Sequence, residues 1–163
     1  MVEKSKSNAS ELFARALRIL GRRDHSEAEL RQKLEKFDYL APAIDEVIER
    51  CYSYNYLNDE RYAQAKSREM LRNGRGVGPR ILLELRRRGI KEDLAYAALL
   101  SAAEEIPPEE VFLQQLERRF AGFNYAEASD KERRRVISYF QRRGFDLGTI
   151  FSLLKNSHHL EKI

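Results

Sequence analysis

The sequence has little of what covalent crosslinks, metal sites and membrane spans require. Its 163 residues include one cysteine and three histidines, so an internal disulfide is excluded and no histidine lies at metal-ligand spacing from a cysteine or carboxylate. No apolar run is long enough to cross a bilayer, and the polar first six residues do not resemble a secretory signal peptide. We therefore expect a cytoplasmic protein with no membrane contact, no metal and no cofactor.

Groups able to perform catalysis are also scarce. Cys51 follows Ile44, Val47 and Ile48 at helical spacing, which favours a buried thiol over a nucleophile. The one glycine-rich loop, residues 74–78, lacks the GxxxxGK[ST] pattern and follows no strand, so an interhelix turn is favoured over a phosphate-binding loop. Most acidic residues fall at predicted helix ends or on polar faces, where they compensate helix dipoles. The chain is therefore predicted not to be an enzyme.

Proline and glycine are infrequent, with four and eight residues, and helical periodicity dominates almost every segment. Apolar residues recur three or four positions apart, and runs of alternating β-branched residues are few. The sequence therefore predicts an all-α protein. We expect helices over residues 11–21, 26–37, 42–54, 59–73, 79–88, 92–103, 109–120, 130–143 and 146–156.

Local signals indicate where several of these helices begin and end. Capping boxes begin at Ser26 and Ser129, where a hydroxyl and a glutamate three residues later each accept from the other's backbone amide. Pro79 suits the first position of a helix, because its missing N–H needs no partner there. Gly89 and Gly144 are predicted to end helices in the left-handed conformation, which costs a residue with a side chain roughly 1 kcal/mol.

The chain repeats itself internally. Residues 78–90 return 55 positions later at residues 133–145, with the apolar pattern and the arginines retained. A fainter copy lies 51 positions upstream, where Glu29 occupies the place of Arg80. Three units of about 50 residues predict an elongated array of three tandem three-helix repeats. We expect a disordered segment at residues 1–10, three-helix repeats at 11–57 and 58–106, and a third repeat with the C-terminal tail at 107–163.

The second helix of each repeat carries an apolar stripe, which we expect to be buried. The stripes are Leu30, Leu34 and Phe37, then Ile81, Leu82 and Leu85, then Val136, Ile137 and Phe140. Four tyrosines cluster near the border of the first two repeats: Tyr52, Tyr54, Tyr56 and Tyr62. Packing between repeats is the favoured role of these rings, and stacking on nucleotide bases is the alternative.

Charge is arranged in blocks of alternating sign. Residues 61–90 contain nine basic and two acidic residues, and residues 131–145 contain six basic and one acidic residue. Residues 24–60, by contrast, contain ten acidic and four basic residues. Such blocks direct a polyanion to defined surfaces rather than to the whole chain.

Two pairs of arginines are spaced to form cationic ridges. Arg80 and Arg87 lie two helical turns apart on one face, and Arg135 and Arg142 do the same in the third repeat. Arginine's planar fork suits phosphate or carboxylate, so a nucleic acid and an acidic protein groove are both candidate ligands, and an ordinary solvated face is disfavoured. The thirteen predicted binding residues are Lys66, Arg68, Arg72, Arg75, Arg80, Arg86, Arg87, Arg88, Arg133, Arg134, Arg135, Arg142 and Arg143.

A sequence-reading helix-turn-helix is disfavoured. The predicted helix after Gly89 begins with Glu92 and Asp93 and is then almost wholly apolar. Its carboxylates would meet phosphates, and few of its side chains could pair with base edges. We therefore do not expect a transcription factor.

Several motifs, taken together, are similar to the RecX family of bacterial recombination regulators. In chain order they are Arg18-Ile19-Leu20, Ser26-Glu27-Ala28-Glu29-Leu30-Arg31-Gln32-Lys33-Leu34, Tyr56-Leu57-Asn58-Asp59-Glu60-Arg61-Tyr62-Ala63, Arg75-Gly76-Val77-Gly78-Pro79-Arg80-Ile81, Glu84-Leu85-Arg86-Arg87-Arg88-Gly89-Ile90 and Arg142-Arg143-Gly144-Phe145. Asn58 departs from the family pattern, which usually has aspartate there, but both residues cap a helix. The resemblance covers roughly residues 11–155.

The resemblance implies a protein that binds the RecA recombinase filament in its helical groove and inhibits filament extension, ATP hydrolysis and strand exchange. It implies a role in DNA recombination, DNA repair and the SOS response. We expect a monomer whose predicted binding residues contact RecA and the single-stranded DNA within the filament. The alternative is a nonspecific single-stranded DNA-binding module that competes for the strand.

Overall fold

The computed structural model describes the backbone of residues 2–156 and the side chains of residues 9–156. Every regular element in that part of the chain is an α-helix, which confirms the predicted all-α fold class. The helices are α1 (Val2–Leu20), α2 (Glu27–Leu34), α3 (Ala41–Ser53), α4 (Asp59–Arg72), α5 (Pro79–Arg87), α6 (Glu92–Glu105), α7 (Pro108–Arg119), α8 (Asp130–Gln141) and α9 (Leu147–Asn156).

The predicted helix boundaries agree with the structure to within three residues, except at the start of α1. That helix begins at Val2 rather than near residue 11. No proline or glycine occurs in residues 2–10, so nothing in the backbone chemistry stops the helix there. The disorder predicted for residues 1–10 stays a prediction, and the C-terminal tail beyond residue 156 lies outside the described residues.

The predicted helix caps are confirmed. Ser26 Oγ accepts a hydrogen bond from the amide of Glu29 at 3.2 Å, and the Glu29 carboxylate accepts one from the amide of Ser26 at 3.2 Å. Ser129 and Glu132 form the same pair of bonds at the start of α8. Asn58 Oδ1 accepts from the amide of Arg61 at 2.9 Å. These bonds satisfy amides that have no partner inside their own helices.

The chain divides into two compact units. The first comprises Met1–Ala63 and Leu85–Ala95, and the second comprises Gln64–Glu84 and Tyr96–Ile163. Each of α4, α5 and α6 therefore contributes residues to both units. The repeat boundaries read from the sequence stay a prediction.

The core of the first unit is formed mainly by α1, α2 and α3. Its buried side chains, each at most 4% exposed, are Leu12, Ala16, Leu30, Leu34, Ile44, Val47, Ile48, Cys51 and Leu57. Cys51 is thus the buried thiol that its spacing predicted, and burial raises the pKa of that thiol above its ordinary value.

The predicted apolar stripe is wrong at Phe37. Helix α2 ends at Leu34, so Phe37 lies beyond the helix and is 39% exposed. A side chain past the end of a helix no longer follows the helical period. In the other two stripes, Leu82 and Ile137 are half-buried and the remaining members are buried.

Three phenylalanine rings pack together in the core of the second unit. Phe112 of α7 stacks on Phe140 of α8 with ring centres 3.8 Å apart. Phe145, which follows α8, meets both rings edge-on at 5.3 and 5.6 Å. Such edge-to-face pairs add about 0.5–1.5 kcal/mol each beyond the apolar area that they bury. The turn after α8 is therefore fixed to α7 through its aromatic residue.

A glycine turn joins α5 to the start of α2 in the first unit; we call this the first glycine contact. Gly89 has φ +73°, and a Cβ added to it would lie 2.4 Å from the Cβ of Ala28. Ser26 Oγ donates a hydrogen bond to the carbonyl of Arg88 at 2.6 Å. Only glycine allows both the left-handed backbone and this close approach.

The side chain of Arg88 reinforces the first glycine contact. Its guanidinium donates to the Glu29 carboxylate, which also accepts from both Nη atoms of Arg23 at 3.2 Å. Burial alone would raise the pKa of Glu29, but hydrogen bonds from Arg23, the Ser26 amide and Arg88 lower it to about 2. The carboxylate therefore stays ionised and holds α2 and the end of α5 together.

The same arrangement recurs in the second unit, where a glycine turn joins α8 to the start of α5; we call this the second glycine contact. Gly144 has φ +101°, and a Cβ added to it would lie 2.3 Å from the carbonyl oxygen of Val77. The amide of Val77 donates to the carbonyl of Arg143 at 2.8 Å. Val77 lies 51 positions after Ser26, and Arg143 lies 55 positions after Arg88. These are the two offsets of the sequence repeat, so the two glycine contacts are formed by equivalent residues.

The two glycine contacts differ in their ion pair. Glu29, which binds Arg88, is replaced by Arg80 at the equivalent position of the next repeat. Arg143 therefore has no carboxylate there. It donates instead to the carbonyls of Gly74 at 3.0 Å and Tyr139 at 3.2 Å. The glutamate at position 29, where the later repeat has Arg80, is thus explained by its ion pair with Arg88.

We predict that Gly144→Ala lowers the free energy of unfolding by roughly 2–4 kcal/mol, because alanine adds left-handed strain and meets the Val77 carbonyl. The matched control is Gly122→Ala. Gly122 has φ +73°, but nothing lies within 4 Å of an added Cβ, so only about 1 kcal/mol should be lost. Urea unfolding followed by circular dichroism measures both values. Equal losses would show that the close approach at Gly144 contributes nothing.

We predict that Glu29→Gln destabilises the protein by about 2 kcal/mol at pH 7, and that this difference shrinks as the pH falls from about 5 to 2. In the folded protein the pKa of Glu29 is lowered to about 2. The ionised carboxylate therefore contributes its full stabilisation at pH values above the unfolded-state pKa. That contribution is lost as the pH falls to the folded-state pKa. Thermal unfolding at a series of pH values measures it. Glu46→Gln, at an exposed position of α3, is the control; a difference independent of pH would contradict the assignment.

Candidate functional site

The thirteen predicted binding residues fall into groups that differ in what their side chains already contact. Ten belong to the second unit, on α4, the loop after it, the start of α5, and α8 with its following turn. Arg86, Arg87 and Arg88 belong to the first unit. The contacts of each group determine how much positive charge remains for a ligand.

Two residues of α4 are neutralised by acids of their own unit. Arg68 forms two bonds with the Glu105 carboxylate, at 2.8 and 2.6 Å, and Lys66 pairs with Glu69 at 3.0 Å. Hydrogen bonding by Arg68 lowers the pKa of Glu105. Arg75 also faces Glu69, at a longer 3.8 Å, and remains exposed. Lys66 and Arg68 are therefore poor candidates for contact with an external anion.

Three arginines hold the fold together. Arg88 and Arg143 act in the glycine contacts described above. Arg133 donates to the carbonyls of Tyr125 at 2.9 Å and Ala126 at 3.1 Å, and thereby fixes the loop between α7 and α8. Arg143 also lies over the ring of Tyr139, 3.4 Å from its centre, and burial lowers the pKa of its guanidinium. Removing any of these side chains would disturb structure as well as charge.

Arg80 is half-buried because its aliphatic chain packs against two glycines. A Cβ added to Gly76 would lie 2.6 Å from Arg80 Cγ, and one added to Gly144 would lie 3.1 Å from Arg80 Cβ. Within residues 9–156 its guanidinium makes no ion pair with an acid. Arg80 therefore combines a packing role with an available charge.

Six predicted residues are exposed and make no ion pair with an acid in the described part of the chain; we call them the free arginines. They are Arg72, Arg86, Arg87, Arg134, Arg135 and Arg142. Arg135 and Arg142 lie seven residues apart along α8 and its C-cap, which places them about two turns apart on one face. The cationic ridge predicted for the third repeat is thus open to solvent.

The tyrosine cluster divides into one buried and three exposed rings. Tyr62 is 6% exposed, as a packing role requires, whereas Tyr54 and Tyr56 are 57% and 48% exposed with ring centres 5.8 Å apart. The hydroxyl of Tyr52 donates to the Glu27 carboxylate at 2.9 Å. Packing therefore accounts for Tyr62, and Tyr54 and Tyr56 keep much of their ring surface accessible.

One basic surface was missed by the sequence reasoning. Arg15, Arg18, Ile19, Arg22 and Phe37 line a cavity of about 250 Å³ in the first unit. Residues 1–23 contain six basic and two acidic residues, and this excess, with the helical spacing of Arg15, Arg18 and Arg22, was the available signal.

The described residues offer neither a cluster of metal ligands nor a membrane-spanning helix. Among those residues, no group of three or more histidine, cysteine, aspartate or glutamate side chains is placed to hold a metal ion. None of the described helices is both long and apolar enough to span a bilayer.

Comparison with known proteins identifies related sequences and folds. The RecX first three-helix domain matches residues 13–51, and the RecX second three-helix domain matches residues 58–99. A crystal structure of RecX from Lactobacillus salivarius shares the fold, with a TM-score of 0.76 and 21% identity over 93% of this chain and 97% of that one.

Curated relatives named Regulatory protein RecX match over most of their length. The protein of Syntrophotalea carbinolica is 39% identical over 142 residues, which cover 87% of this chain and 93% of the relative. That of Serratia proteamaculans is 32% identical, over 90% of this chain and 98% of the relative. With both domains matched in order and these identities spanning nearly whole chains, the protein belongs to the RecX family of regulatory proteins.

Proposed function

We propose that the chain is a negative modulator of the RecA recombinase that binds the RecA–DNA filament in its groove. By occupying the groove it inhibits filament extension, ATP hydrolysis and strand exchange. It does so as a cytoplasmic monomer without catalysis of its own, in DNA recombination, DNA repair and the SOS response. Family membership supports the regulatory role, and the resemblance of its motifs supports RecA as the target.

The observation that carries this proposal is the set of six free arginines. An exposed arginine that makes no ion pair with an acid has its N–H donors available for a ligand. Self-repulsion among such residues is relieved when an anionic partner approaches. Arg87 and Arg142 occupy equivalent positions of successive repeats, so the same ligand chemistry can be met more than once along the chain.

A RecA filament presents both of the groups that arginine binds well. Carboxylates lie on protein surfaces, and phosphates lie on the enclosed strand; both accept two parallel bonds from a guanidinium. The proposal assigns protein contact as the source of inhibition and DNA contact as an addition to it. The alternative, a nonspecific single-stranded DNA-binding module, would act only by covering the strand.

We predict that Arg135→Glu/Arg142→Glu raises the concentration needed for half-inhibition of RecA ATP hydrolysis about tenfold or more, because two attractive contacts become repulsive. Both side chains are exposed, so helicity should persist. The measurement is ATP hydrolysis on single-stranded DNA with the protein titrated at substoichiometric amounts. Lys33→Glu/Lys155→Glu, at two exposed positions outside the predicted binding residues, is the matched control and should inhibit like the natural chain.

Unchanged inhibition by the α8 variant, with intact circular dichroism, would remove Arg135 and Arg142 from the interface. Equal loss in the control variant would show that net charge alone governs inhibition.

We predict that excess single-stranded DNA does not relieve the inhibition, because the protein binds the RecA filament and is not drawn away by free strand. The same titration is repeated with increasing strand, and binding to free strand is measured at several salt concentrations. Contacts to phosphate lower log affinity by about 0.7 per phosphate for each unit of log salt. Full relief by excess strand, together with a steep salt slope, would favour the competing DNA-binding module.

A further inference from the structure

The first unit carries a cavity that combines an apolar wall with a basic rim. Ile19 of α1 and the ring of Phe37 form the apolar wall, and Arg15, Arg18 and Arg22 form the basic rim. The cavity has a volume of about 250 Å³. None of these five residues is among the thirteen predicted binding residues. The cavity is therefore a surface distinct from the one on which the proposed function rests.

The three arginines of the rim are not equivalent. Arg15 is occupied, since it binds Glu11 at 2.8 Å and its guanidinium carbon lies 4.5 Å from the centre of the Phe37 ring. Arg18 and Arg22 are exposed and make no ion pair with an acid within residues 9–156. Two guanidinium groups beside the cavity are thus available to an anionic ligand.

The apolar wall leaves hydrophobic surface exposed to solvent. Ile19 is partly buried and packs against the core of the first unit. Phe37 is 39% exposed, although removing a phenylalanine ring from water is favourable. An exposed ring in a cavity that two unpaired arginines also line is the arrangement expected of an interaction site.

Charge complementarity requires an anionic occupant. Two free guanidinium groups bind two carboxylates, and the cavity between them has room for one bulky apolar side chain. A nucleobase is disfavoured because the Arg15 guanidinium lies over the Phe37 ring and occupies the face on which a base would stack. We propose that this cavity docks an acidic protein segment that presents one large apolar side chain between carboxylates.

This inference extends the role of the chain to its first repeat, which the charge blocks had marked as acidic. Arg18 and Arg22 form a local positive surface at the C-terminal end of α1, where the helix dipole also favours cations. A partner held there would be recognised through chemistry independent of the free arginines. Failure of the RecA proposal would leave this one untouched.

The test uses the full chain and a fluorescein-labelled peptide of about nine residues, composed of aspartate and glutamate with one central phenylalanine. Fluorescence anisotropy measures its binding, alongside the same peptide with central alanine. The phenylalanine peptide should bind about tenfold more tightly, because burial of the ring adds to the ionic contacts. Arg18→Ala/Arg22→Ala should weaken its binding about fivefold.

The matched control for charge is Arg118→Ala/Arg119→Ala, which removes two exposed arginines of α7 and should leave peptide binding within twofold. Circular dichroism verifies that each variant is folded, and Arg18→Gln/Arg22→Gln serves if the alanine variant is not. Equal affinity for the two peptides, or no binding of either, overturns the proposal. So does a selective loss of affinity for a thymidine oligonucleotide in the Arg18/Arg22 variant, which would assign the surface to nucleic acid.

Discussion

The structure depends on the close approach of a glycine turn to the first turn of an earlier helix. At Gly89 and at Gly144 the carbonyl of the preceding arginine accepts a hydrogen bond from the entrance of α2 or α5. The approach leaves no room for a Cβ, and the backbone has positive φ. One residue therefore ends a helix, turns the chain and packs against the start of an earlier helix. Both compact units contain one such contact.

The glycine contacts also determine which arginines can serve a ligand. The arginine before each glycine is held by the fold, through Glu29 at Arg88 and through backbone carbonyls at Arg143. The arginine one position earlier, Arg87 or Arg142, is exposed and makes no ion pair with an acid in the described part of the chain. Neighbouring arginines thus divide between one that is held by the fold and one that is exposed to solvent, and the division is the same at both glycine contacts.

Much of the local structure could be predicted, because its causes lie within a few residues of chain. The capping boxes at Ser26 and Ser129, the proline at the start of α5 and the left-handed glycines follow from local hydrogen bonding and sterics. Periodicity placed eight helices to within three residues. It failed at Phe37, where α2 ends early and a ring that fits the period is left in solvent.

The candidate site was less predictable, since the availability of a charge depends on distant neighbours. Arg68 reaches Glu105 over 37 positions, and Arg143 reaches Gly74 over 69. These partners are too far apart in the sequence to be recognised from local patterns. Within one basic block, arginines that are held by such contacts therefore cannot be told from arginines that are exposed to solvent. The internal repeat offered one clue, the glutamate at position 29 in place of an arginine, and its ion pair with Arg88 explains it.

Cys51 gives the first unit a built-in reporter of its own opening. It is the single cysteine of the chain, it is fully buried, and burial raises the pKa of its thiol. A thiol reagent needs both access and the thiolate form, and the folded unit supplies neither. The rate of labelling at neutral pH therefore follows the transient exposure of this core alone, so local fluctuations of the first unit become separable from those of the second without any label being introduced.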